Sequence, residues 1–240
     1  MLKNVRIVLV NPSHPGNIGA VARAMKTMGL ENLVLVNPDQ FPHADATARA
    51  TGAVDVLDHA QVVGDLDQAL AECSLVCGAS ARLRTIAWPQ LDARQCAQRI
   101  ASESPSERIA LVFGRERMGL TNEELERCHY LVHIPTNPDF SSLNLASAVQ
   151  VMGYECRMAF AARQEEVVPE AEFACVEDMD KFYDHLFEVL QQIEFYDPNK
   201  PKQLIRRLKR MFNRLRPDKM ELNILRGILT SVQKKSTESR

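Results

Sequence analysis

Val5-Arg6-Ile7-Val8-Leu9-Val10-Asn11-Pro12-Ser13-His14-Pro15-Gly16-Asn17-Ile18-Gly19-Ala20-Val21-Ala22-Arg23 decides the fold class. Six residues of almost unbroken aliphatic character read as a strand buried on both faces. A polar loop with two prolines follows. Then Ile18, Val21, Ala22 and Met25 recur at helical spacing, predicting a helix over about 17–29. The same alternation continues downstream. Strands are predicted at Leu33–Val36, Leu75–Cys77, Ile109–Phe113 and Tyr130–Ile134, and helices at about 65–72, 92–102, 121–127 and 143–163. Thr121-Asn122-Glu123-Glu124 is a capping box opening one of them. Short apolar strands interleaved with helices predict an α/β domain on a mostly parallel sheet.

Arg163–Glu172 interrupts this rhythm: it is acidic, contains Pro169 and lacks periodicity, and reads as a linker. Beyond it Met179, Phe182, Tyr183, Leu186, Phe187, Leu190 and Ile193 fall at helical spacing. So do Leu204, Ile205, Leu208, Met211, Phe212 and Leu215, with arginines expected on the other face. Asp218 is placed to cap a third helix. The expected organisation is an α/β domain over 1–162, a linker over 163–172 and a basic helical module over 173–240.

The 240 residues carry a net charge of only -2, but it is unevenly spread. From Pro198 onward there are 13 Lys and Arg against three acids, a net +10, leaving -12 on the rest. Arg206, Arg207, Arg210 and Arg214 are the densest part of the run. A solvated helix surface would account for them, but their density favours a polyanion partner, and nucleic acid is the natural one. Phe212 among them reads as core by its spacing with Leu208 and Leu215, with base stacking as the other option. No apolar stretch reaches the ~20 residues needed to span a bilayer. The first residues run into a strand with no signal-peptide pattern, so a cytoplasmic protein is expected. Six cysteines without a CxxC pair are expected to be reduced and buried, with no metal site.

Three segments carry the chemistry. In Asn11–Arg23, a small-residue loop feeding a helix start suits a phosphate, although neither GxGxxG nor a P-loop lysine is present. Gly16 and Gly19 would serve equally to let the helix pack on the sheet. Arg23 reads either as a surface charge or as a group aimed at an anion. In Phe113-Gly114-Arg115-Glu116-Arg117-Met118-Gly119-Leu120, a buried strand opens into a loop with two glycines, at the strand end where α/β proteins bind ligands. The plain alternative is a solvated turn with Glu116 paired to an arginine. In Ile134–Ala148, Ser141 or Ser142 reads as an N-cap, and Asn144, a poor helix former expected in the first turn, suggests another task. No Ser-His-Asp order or GxSxG elbow occurs.

Together, in order and spacing over residues 1–160, these segments resemble the three signature motifs of SPOUT-class RNA methyltransferases, in the branch that methylates ribose 2′-hydroxyls. The resemblance is strongest to members acting on cytidine or uridine at nucleotide 32 of the tRNA anticodon loop. It implies a homodimer whose C-terminal strand–loop segments form a deep trefoil knot holding S-adenosylmethionine. The implied cofactor contacts are Ala79, Ser80, Ala81, Gly114, Ile134, Ser141, Ser142 and Leu143. By the same resemblance Arg23 binds the phosphate beside the target ribose, and Asn17 and Asn144 hold the ribose or Arg23. Glu116 fixes an arginine, of its own chain or of the second subunit, and Ser142 acts in catalysis as well as binding cofactor. Arg23, Arg206, Arg207, Arg210 and Arg214 would meet the tRNA. Two other readings stay open: the same chemistry on ribosomal RNA or another tRNA nucleotide, and a non-catalytic RNA-binding protein that keeps the fold.

Overall fold

The computed structural model describes residues 2–80, 88–103, 105–162, 172–198 and 203–238. The chain divides into two compact units between Pro169 and Glu170. Among its described residues the first carries seven strands: β1 (Val5–Val10), β2 (Asn32–Val36), β3 (Gln61–Val63), β4 (Leu75–Ala79), β5 (Gln90–Asp92), β6 (Ile109–Phe113) and β7 (Tyr130–His133). Its helices are α1 (Pro15–Met28), α2 (Ala44–Ala50), α3 (Val54–Asp58), α4 (Leu66–Leu70), α5 (Ala93–Ser102), α6 (Asn122–Leu125) and α7 (Leu145–Ala162).

The strands form one sheet, ordered β3-β2-β1-β6-β4-β7-β5, and every neighbouring pair is parallel. Val8 pairs with Val34 on one side and Val112 on the other. Continuous aliphatic character is what this central place demands: all of β6 and all of β1 but Arg6 are buried. The edge strands β3 and β5 were not predicted. Each has three residues and none is fully buried, so neither carries an apolar signature. The small-residue helix α2, ADATARA, escaped prediction for a related reason, since it has no bulky apolar stripe.

Helix α1 lies against both α2 and α7. Gly19 explains the first contact: a Cβ there would sit 2.0 Å from the Ala46 carbonyl oxygen. Gly19 therefore admits a neighbouring helix, α2, rather than the sheet that the sequence suggested. The helix closes at Gly29 (φ 79°), whose N–H reaches the carbonyls of Lys26 and Met25.

The described residues of the second unit form three helices, α8 (Val176–Gln192), α9 (Leu204–Leu215) and α10 (Lys219–Glu238). Met179, Phe182, Tyr183, Leu186 and Leu222 form its interior. Phe212 packs edge-on against Phe182 with ring centroids 4.8 Å apart, as its spacing predicted. Asp218 accepts from Glu221 N at 2.7 Å and caps α10 as expected. The apolar stripe expected along α9 is only half used. Leu208 and Phe212 pack inward, whereas Met211 and Leu215 are exposed on the same side as Arg207 and Arg214. A three-helix module covers a narrower band than the stripe offers.

All six cysteines are free, five buried and Cys175 half-buried. No helix among the described residues is long and apolar enough to cross a membrane. Among them too, no group of three His, Cys, Asp or Glu could hold a metal ion.

Candidate active site

Strands β6, β4 and β7 are adjacent, and the loops leaving their carboxyl ends meet. The loop after β6 is folded back on itself. Gly119 N donates to the Arg115 carbonyl at 2.8 Å, and Gly119 adopts φ 69°, a conformation that favours glycine. Gly114 lies against this return: a Cβ on it would come within 2.2 Å of the Gly119 backbone. Arg115 braces the loop, donating to both Glu124 oxygens at 3.0 and 3.1 Å and to Asn11 Oδ1. Glu124 also accepts from Thr121 N, which completes the expected capping box of α6. Local pattern carries no sign of Arg115 as a brace to Asn11, which lies 104 positions away.

Among the described residues Glu116 is paired with no arginine. Its Oε2 accepts from Ser13 N (3.2 Å) and Ser13 Oγ (3.0 Å), and its Oε1 from His14 N (3.3 Å) and Asn17 Nδ2 (3.1 Å). The reason is visible at the start of α1: the first turn has no acid, and His14 at its N-cap makes no side-chain cap. A carboxylate from the loop after β6 meets the helix start that α1 leaves without an anion. Burial raises the Glu116 pKa, but hydrogen bonds from the Asn17 amide, the backbone and the Ser13 hydroxyl outweigh it and hold the group below its ordinary value.

Asn17 extends the network. Its Oδ1 accepts from Asn144 Nδ2 at 3.1 Å, while Asn144 Oδ1 accepts from Ala146 N at 2.9 Å. Asn144 is thus the cap of α7, one residue before the helix, not a first-turn residue. Ser141 and Ser142 lie before it in the loop and are not the cap. Through its oxygen and one amide N–H, Asn17 ties two loops together. The three segments singled out in the sequence are therefore joined by one chain of hydrogen bonds, Asn144–Asn17–Glu116–Ser13.

A cavity of about 280 Å³ opens beside this chain. Ala79, Ser80, Gly114, Glu116, Ile134, Ser141, Ser142 and Leu143 line it, all expected from the sequence. Ala81 lies outside the described residues. Phe113, Arg115, Arg117, Met118, Gly119, Val132, Leu145 and Ala148 complete the described wall and were not anticipated as lining. A wall that mixes apolar side chains, the hydroxyls of Ser80, Ser141 and Ser142, and close-packed main chain at Gly114 suits a flat heteroaromatic group with a polar tail, which S-adenosylmethionine has. Arg23 stands apart. It is exposed on α1, its side chain has no partner among the described residues, and it is not in the cavity wall. In the second unit Arg206, Arg207 and Arg214 are exposed, while Arg210 is half-buried with its Nε enclosed and unpartnered.

A parallel sheet whose strand ends hold these three linked motifs defines a methyltransferase class. The model of the SpoU rRNA Methylase family matches residues 4–154, and the chain belongs to that family. A second model, the C-terminal domain of the tRNA methyltransferase TrmJ, matches residues 177–240. The chain is 55% identical to the tRNA (cytidine/uridine-2′-O-)-methyltransferase TrmJ of Klebsiella pneumoniae, over 98% of this chain and 99% of that protein. Among solved structures, TrmJ from Z. mobilis ZM4 superposes with a TM-score of 0.83 at 31% identity, covering 95% of this chain and 98% of that one. A probable methylase family protein from Haemophilus influenzae Rd KW20 is 44% identical with full coverage of both chains and a TM-score of 0.66. The resemblance read from the three motifs is borne out.

Proposed function

We propose that the chain transfers a methyl group from S-adenosylmethionine to the ribose 2′-hydroxyl of nucleotide 32, cytidine or uridine, in the tRNA anticodon loop. The observation that carries this reading is the Asn144–Asn17–Glu116 chain, which ties all three motifs together beside one cavity. Family membership and the named relatives support the chemistry and the RNA class. Ala79, Ser80, Gly114, Ile134, Ser141, Ser142 and Leu143 would hold the cofactor, which supplies an electrophilic methyl.

The nucleophile is a weak one and needs alignment and a stabilising charge. Arg23 supplies the charge by binding the adjacent phosphate. A guanidinium stays protonated at neutral pH, so it orients the hydroxyl rather than acting as its base. Glu116 is no better a base, because its lone pairs already accept four hydrogen bonds. Its task is to fix the start of α1, and with it the helix that carries Arg23. Because Arg23 is absent from the cavity wall of its own chain, a homodimer in which one subunit's Arg23 serves its partner's cavity is the natural working form. The trefoil knot and a cytoplasmic location belong to the same proposal. So do the boundaries: a catalytic domain over 1–162, a linker over 163–172 and a basic helical extension over 173–240.

The test is methylation of tRNA transcripts bearing C or U at nucleotide 32 by the purified chain, with the methyl group mapped. A ribose methyl at that nucleotide, abolished by Arg23→Ala with cofactor affinity nearly unchanged, is the expected result. A methyl on another nucleotide, or an active Arg23→Ala variant, contradicts the target or the mechanism respectively.

A further inference from the structure

The two loops that help to wall the cavity carry two large apolar side chains that the fold does not use. Phe140 is 81% exposed and Met118 is 63% exposed. Single exposed hydrophobics are common and mean little alone. These two differ in where they stand. Met118 is part of the cavity wall, and Phe140 immediately precedes Ser141, Ser142 and Leu143, which line it. They come from two different loops, after β6 and after β7, both bordering the same opening.

The Phe140 loop is also held in shape. Phe140 N donates to the Asn137 carbonyl at 3.0 Å, Asp139 N to Asn137 Oδ1 at 3.0 Å, and Thr136 Oγ1 to the Ser141 carbonyl at 3.1 Å. The loop therefore presents the aromatic ring outward while its hydrogen bonds close the turn behind it. Met118 offers a polarisable thioether, which packs well against ring edges.

We propose that Phe140, with Met118, forms a stacking site for the pyrimidine base of the nucleotide whose ribose is methylated. The proposal rests on the reading of the cavity given above. It supplies what that reading lacks, a hold on the base. Stacking recognises a π-face without reading its hydrogen-bonding edge, so cytosine and uracil are accepted alike. No polar side chain is needed to tell them apart. The ring also excludes water from the side of the nucleotide nearest the reacting hydroxyl.

The experiment compares the full-length wild type with Phe140→Ala and Phe140→Trp. Phe140→Ala should lower kcat/KM for tRNA on the order of tenfold, equally for C and U at the target. Cofactor affinity by calorimetry, thermal midpoint and oligomeric state should not move, since an exposed ring contributes little packing. Phe140→Trp should restore most of the activity. A tRNA carrying an abasic ribose at nucleotide 32 adds the decisive comparison: wild type and Phe140→Ala should methylate it equally poorly. Full activity of Phe140→Ala overturns the proposal. So does a parallel loss of cofactor affinity or dimerisation, or a defect that persists on the abasic substrate. A wild type inactive on every tRNA would bring down the reading of the cavity itself. An active wild type with an indifferent Phe140→Ala would bring down the stacking site alone.

Discussion

Glu116 is the residue on which most of the site depends, because four donors converge on one carboxylate. Glu116→Gln keeps the shape but turns one oxygen into an NH₂ that faces N–H donors. A hydrogen bond to a charged group contributes about 1.5–3 kcal/mol. Methyl transfer should therefore fall by about tenfold or more, since each 1.36 kcal/mol is a factor of ten in rate. Cofactor affinity should fall less, because the loop around Gly114 keeps its own Arg115 brace. Steady-state kinetics with calorimetry separates the two. The pKa gives a second readout with a definite sign. Folding lowers the pKa of Glu116 from an ordinary 4.5, so its stabilising contribution is fully present above that value. It is lost as pH falls through the lowered folded value. The difference in thermal midpoint between wild type and Glu116→Gln should thus be widest near neutrality and narrow on acidification below about 4.5. A gap that does not change with pH would show that the carboxylate is not held in its charged form by these donors.

Among the elements, the α1–α2 contact offers a test in which two magnitudes compete. Gly19→Ala gains up to about 1 kcal/mol of helix propensity. It also drives a methyl against the Ala46 carbonyl at 2.0 Å, where backbone must shift, a strain of about 1–3 kcal/mol. Strain should win and the thermal midpoint should fall. Gly227→Ala in α10 is the control: a Cβ there meets nothing within 4 Å, so propensity acts alone and the midpoint should rise. Scanning calorimetry of both variants checks the pair. The same scale shows what a sequence can reveal. Strands β1 and β6 were read with the right ends because burial on both faces leaves an unbroken aliphatic run. Strands β3 and β5 left no such trace. At the site, the cavity-lining residues were legible through the three motifs. Which residue pairs with which was not, because Glu116 meets Ser13 across 103 positions and Asn144 meets Asn17 across 127. Local pattern carries no information at that range. For Glu116 it suggested an arginine, where the fold supplied a helix start that lacked an anion.

At the scale of the molecule, the dominant fact is the separation of charge, +10 after Pro198 against -12 before it. A tRNA phosphate backbone attracts the first region and is repelled by the net charge of the second. If the basic helices supply most of the phosphate contacts, two quantities should respond differently to their removal. Ending the chain after Glu172 removes the second unit together with its own interior of Phe182, Tyr183, Leu186 and Leu222. The cavity residues all precede that point, so S-adenosylmethionine affinity should survive while tRNA affinity drops. The salt dependence is the sharper measure. Affinity falls with log salt in proportion to the phosphates neutralised, so the shortened chain should give a shallower slope than the full chain. Single substitutions then apportion the slope. Exposed Arg206, Arg207 and Arg214 should each reduce it on replacement by alanine. Arg210 should reduce it less, because its half-buried stem and enclosed Nε leave less of the guanidinium for a phosphate. Equal loss of tRNA and cofactor binding on truncation would mean that the helices support the cavity rather than the RNA. An unchanged salt slope would place the phosphate contacts on the acidic unit, whose three motifs contain Arg23, Arg115 and Arg117.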